Sequence, residues 1–139
     1  MNLMRLWHTK LIPFLPKSQL LAQWRELNSI YVKEDRHVLI NYIYEYPKDH
    51  LKQYTSIVLD EMIARGFQIR TRDKMERYFG DEAYLPIEEP FNLHHDDLYL
   101  TMCYYNLYEK YIRKQKDFST TEFEALQQFY KAQKRQSRL

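Results

Sequence analysis

The chain has 139 residues, with 21 Lys/Arg against 19 Asp/Glu, 16% aromatic residues, two glycines, five prolines and a single cysteine. That length fits one domain around one core, and such aromatic content excludes a disordered chain. So few glycines exclude a glycine-rich phosphate loop or a turn-dense all-β design, while the lone Cys103 excludes an internal disulfide.

The formal charge of +2 hides an asymmetry: Lys110–Leu139 carries eight basic and three acidic residues, and Met1–Glu109 carries 13 and 16. A basic end suits phosphate binding through counterion release, and it equally suits a solvated helix. No apolar run nears the roughly 20 residues of a membrane span. Met1–Ile12 has no signal-peptide pattern. A soluble, cytoplasmic protein without a membrane partner is expected, and the single cysteine fits that reducing compartment.

Pro16 suits the first turn of a helix, because its missing N–H would be unpaired there. Leu20, Leu21, Trp24 and Leu27 follow at helical spacing and predict a buried stripe. Glu26 lies about 200° around the helix from Trp24, so it points off the core side. His37–Tyr46 is rich in β-branched and aromatic residues but has no partner strand elsewhere, and reads as irregular or short helical packing.

Pro47 opens a second helix with Leu51, Tyr54, Val58 and Met62 on its inner face and Gly66 as its C-terminal cap. Thr71–Phe79 reads as a short charged helix, followed by an acidic loop between Pro86 and Pro90. A third long helix is predicted from His94 to Lys114, with Leu100, Cys103, Tyr104, Leu107 and Tyr111 inward. Ser119 with Glu122 is a capping box for a last helix, Thr120–Lys134. The expected fold is all-α: one compact domain over residues 1–139 with three to four main helices and irregular connections. Residues 1–3 read as an upstream extension and 135–139 as a frayed tail.

His94-His95-Asp96-Asp97 invites a metal reading. Adjacent helical residues point about 100° apart, and no His-x-x-x-His or Cys-x-x-Cys spacing completes a site. Capping of the helix by the acids explains the run better, so no metal is expected.

Arg25-Glu26-Leu27 sets a guanidinium beside a carboxylate on a short amphipathic helix. The segment resembles the catalytic helix of the pyrimidine-dimer DNA glycosylases, the phage endonuclease V family. With Met4 at the family's initiator position, Arg25-Glu26-Leu27 is in register without a gap. Arg65-Gly66-Phe67-Gln68-Ile69 is similar to the family's Arg-Gly-Phe-Asn-Ile, and Leu107-Tyr108-Glu109-Lys110 to its Leu-Asp-Glu-Lys. Phe129-Tyr130-Lys131 resembles an aromatic-aromatic-lysine cluster near its end, and Met4-Arg5-Leu6-Trp7-His8 the start of compact bacterial relatives.

The resemblance implies a DNA repair enzyme that needs no metal and no organic cofactor and acts as a monomer on damaged double-stranded DNA. An N-terminal amine attacks C1′ of the damaged nucleoside, an imine forms, and β-elimination cuts the strand. An α-amine, with a pKa of about 8, is far more often unprotonated than a lysine. Glu26 would stabilise cationic intermediates and assist proton transfer. Arg25 would grip a phosphate and Lys110 would contact DNA; from the residues themselves, His8 beside the start of the chain and Lys131 in the basic tail are further candidate DNA contacts. The sequence departs at the nucleophile: Arg5 replaces the family's small Thr. Methionine is not normally removed before so bulky a residue, so the amine falls on Met4, or on Met1. Asn106 replaces a family arginine.

Blander readings stand beside these. Arg25 and Glu26 suit a surface pair worth under about 1 kcal/mol, Trp7 suits core packing, and His8 a structural role. A DNA-binding relative without catalysis would bind bent or abasic DNA and cut nothing. A helical protein-interaction module would show no DNA affinity even at low salt.

Overall fold

The computed structural model describes residues 5–137, and among these the chain is all-helical. Four long helices carry the fold: α1 (Lys17–Lys33), α2 (Lys48–Ala64), α4 (Asp97–Ile112) and α5 (Thr120–Gln136). A short α3 (Asp73–Phe79) and two 3-10 helices, Thr9–Phe14 and Asn41–Glu45, fill the connections. The ambiguous His37–Tyr46 segment is thus short helical packing and not a strand.

α1 packs on α2 and α3, and α4 packs on α5. The Thr9–Phe14 turn touches α2, α4 and α5, so the first described residues form the strut between the two groups. Leu6, Leu11, Ile12 and Leu15 are fully or almost fully buried there. Burying each such side chain contributes about 1.5–3 kcal/mol.

The helix ends follow local chemistry. Pro16 is the N-cap of α1. α2 closes as its sequence predicts: Gly66 adopts φ 84°, Phe67 N–H donates to the Met62 carbonyl at 3.0 Å, and Gly66 N–H to that of Ile63 at 2.9 Å. Ser119 and Glu122 form the reciprocal capping box of α5, which runs through Gln136. α4 begins three residues later than expected: Asp96 is its N-cap, accepting from Tyr99 N–H at 2.9 Å. The delay has a cause in His95, whose ring is drawn into the core before the helix starts.

The inner face of α2 is as expected, with Leu51, Tyr54, Val58 and Met62 all buried. On α1 the buried stripe is instead Leu20, Gln23, Leu27, Ile30 and Tyr31, while Leu21 and Trp24 are only half-buried at its edge. Gln23 displaces Trp24 from the interior because its amide is hydrogen-bonded there through both its oxygen and its nitrogen.

Candidate active site beside the start of the chain

Gln23 is 1% exposed and clamps the N-terminal segment. Its Oε1 accepts from Trp7 N–H at 2.8 Å, and its Nε2 donates to the Arg5 carbonyl at 3.1 Å. The Tyr54 hydroxyl lies 2.7 Å from the Trp7 carbonyl and 2.9 Å from Gln23 Oε1. The Tyr99 hydroxyl donates to the Leu6 carbonyl at 2.6 Å. Four polar groups of residues 5–7 are therefore satisfied by side chains of α1, α2 and α4, as buried backbone requires. The Arg5 guanidinium lies 5.8 Å from the Tyr99 ring centre and 6.0 Å from that of Trp7.

A second network anchors the next two residues. His95 Nδ1 accepts from Thr9 N–H at 3.1 Å, so the ring proton sits on Nε2, 2.6 Å from the Tyr42 hydroxyl oxygen. His8 Nδ1 accepts from Lys10 N–H at 3.1 Å and caps the Thr9–Phe14 turn. Burial lowers the His8 pKa to about 4, Lys10 adding to the effect while the His95 carbonyl opposes it. Burial lowers that of His95 to about 3, helped by His8 and His94. Both rings are neutral and interior, an arrangement that suits the structural role weighed for His8.

Glu26 follows Gln23 by one helical turn, on the adjoining part of the same face of α1. It is half-buried, and its Oε2 has no hydrogen-bond partner among the described residues. Burial raises its pKa, as does the nearby Asp35 carboxylate, and Arg25 pulls the other way. Asp35 accepts from the Ser29 hydroxyl, a further turn along α1, and its carbonyl accepts from the Tyr44 hydroxyl at 2.7 Å. Arg25 is exposed and forms no ion pair with Glu26 among the described residues. A carboxyl group so placed holds its proton to a higher pH than an ordinary glutamate and has an oxygen free for a reacting group.

The other expected site residues are spread more widely. Met4 lies outside the described residues. Lys110 is half-buried in the last turn of α4, and Lys131 is exposed on α5. No hydrogen bond or ion pair among the described residues joins either to Glu26. Trp7 and Cys103 are buried in the core. Among the described residues no group of three or more His, Cys, Asp or Glu is placed to hold a metal ion, and no helix is long and apolar enough to cross a membrane. Sequence reasoning missed the part that Gln23, Tyr54, Tyr99 and His95 play in holding residues 5–9. Their one signal was Gln23, a polar residue at helical spacing between Leu20 and Leu27.

No curated protein and no solved structure matches the chain. A family model described as pyrimidine dimer DNA glycosylase matches residues 4–75. The match takes in the clamped N-terminal segment, all of α1 with Arg25 and Glu26, and Arg65–Ile69 after α2, leaving Lys110 and Lys131 outside it. Spanning more than half of the sequence, it shows that the chain belongs to the pyrimidine dimer DNA glycosylase family.

Proposed function

We propose that the protein excises damaged pyrimidines from double-stranded DNA and then cuts the strand at the abasic site. The nucleophile is the α-amine at the start of the chain, on Met4 or on Met1. It attacks C1′, the N-glycosidic bond breaks, and the base leaves with one proton of the amine; the C1′–O4′ bond then opens, O4′ taking the second proton by way of Glu26, and the C1′=N bond forms. The resulting imine loses its C2′ proton, the C3′–O bond breaks with the phosphate as leaving group, and water releases the sugar fragment. Glu26 carries protons through these steps and offsets the positive charge of the imine. Arg25 grips a phosphate beside the lesion, with Lys110 and Lys131 as outer phosphate contacts. His8 holds the first turn in place. The protein works as a cytoplasmic monomer without metal or organic cofactor.

What supports this reading above all is the Gln23 clamp: it ties the Arg5 carbonyl to α1 one helical turn before Glu26, a carboxylate whose buried oxygen has no partner among the described residues. Pre-placed groups of this kind replace a bimolecular encounter by an intramolecular one. Incubating the protein with duplex carrying one abasic site tests it. Strand cleavage that falls at least about 100-fold in Glu26→Gln supports the mechanism, and cleavage equal to wild type overturns it.

A further inference from the structure

Glu26 points to one side of α1, and the side that bears Leu21, Trp24 and Asn28 opens onto a groove of about 940 Å³ between that helix and residues 68–74. Trp24, Arg25 and Lys33 line it from α1, and Arg70 and Lys74 from the far bank. Four of its lining side chains are cationic and none is acidic. Among the described residues Arg25, Arg70 and Lys74 form no ion pair, and Lys33 has only a 3.8 Å contact with Asp35. The hollow lined by His8 and His95 has the opposite character, with Glu88, Glu89, Asp96 and Asp97 at its edge against Lys10. Cations gathered without counter-charges raise a positive potential that a polyanion relieves.

We infer that this groove holds the sugar-phosphate backbone of the duplex arm beside the lesion. The inference rests on the chain acting on DNA at Glu26. Trp24 and Glu26 lie about 200° apart around α1, so a duplex whose axis runs from one to the other advances roughly a helix diameter, about 10 Å. At about 3.4 Å of duplex per nucleotide, the groove meets phosphates about three nucleotides from the damaged one. Arg25, between the two flanks, bridges the near phosphate and the groove. Arg70 and Lys74 take the farther ones, and the apolar face of Trp24 lies along the deoxyribose edge.

The test is binding to a duplex with a non-cleavable tetrahydrofuran abasic analogue, measured from 50 to 200 mM KCl for wild type and Arg70→Ala/Lys74→Ala. Both side chains are exposed, and circular dichroism checks that the variant folds. The variant is expected to bind about tenfold more weakly, with a log–log salt slope shallower by about 2. Phosphate-ethylation interference about three nucleotides from the analogue is expected in wild type and lost in the variant. Arg70→Lys/Lys74→Arg is expected to restore the slope. Unchanged affinity and slope in the double variant overturn the inference. Because the analogue cannot be cut, this outcome is independent of whether the amine chemistry holds.

Discussion

Gln23 holds Arg5 by its backbone, the side-chain amide donating to the Arg5 carbonyl at 3.1 Å while its oxygen binds Trp7 N–H at 2.8 Å. One buried side chain thereby fixes the start of the described chain against the helix that bears Glu26. A contact to the backbone fixes position whatever side chain residue 5 carries, which suits a site whose working group is a terminal amine.

Gln23→Ala therefore has two expected effects. Losing the amide leaves the Arg5 carbonyl and Trp7 N–H unsatisfied in the interior, a loss of about 2–3 kcal/mol in urea unfolding. It also frees the N-terminal segment, so the cleavage rate at saturating abasic duplex falls at least about tenfold under conditions where the variant is fully folded. Gln23→Glu keeps the acceptor for Trp7 and Tyr54 and restores part of both. A destabilised Gln23→Ala that cuts at the wild-type rate contradicts the positioning role.

Glu26→Gln is expected to stabilise the fold while abolishing the chemistry. A carboxyl whose pKa is raised in the native state binds its proton more tightly folded than unfolded, so its contribution to stability falls as pH rises. The neutral amide escapes this penalty, worth about 1 kcal/mol at pH 7 for a half-buried group without a partner. The gain closes as pH falls below about 4.5, where both states of the glutamate are protonated. Urea titrations at pH 7 and pH 4 measure it, and a variant less stable than wild type at pH 7 counts against a strained carboxylate.

The two buried histidines set the acid limit of the fold. Both pKa values are lowered on folding, so their stabilisation is complete above about 6.5 and is lost as pH falls toward the folded values of about 4 and about 3. Each is expected to remove about 2 kcal/mol between pH 7 and pH 5. His8→Asn keeps a good N-cap for the Thr9–Phe14 turn and should shrink the fall over that interval by about 2 kcal/mol. An equal fall in both proteins shows that His8 does not titrate on unfolding.

The sequence made the helices legible where their signals are local. The Ser119–Glu122 box, Gly66 after α2 and the inner row Leu51, Tyr54, Val58 and Met62 are all read from residues within a few turns of each other. The Arg25-Glu26-Leu27 motif likewise marked the candidate site by its register with the family. What was hidden depends on distant partners. Trp24 outranks Gln23 in any hydrophobic pattern, yet Gln23 is the interior residue because Arg5, Trp7 and Tyr54 satisfy its amide. The Thr9–Phe14 strut is six residues with Pro13 inside, too short for a periodic signal. His95 reads as a residue of the first helical turn, and only the Thr9 and Tyr42 contacts explain why α4 waits for Asp97.

The central claim is that an amine at the start of the chain forms an imine with the sugar while Glu26 handles the protons. Borohydride reduction of the protein mixed with abasic-site duplex tests it most directly, with the adduct digested and located by mass spectrometry. The account predicts a covalent DNA adduct on the first residue of the mature chain, with strand cleavage lost in Glu26→Gln. An adduct confined to a lysine side chain, or no adduct from a protein that still cuts, contradicts it.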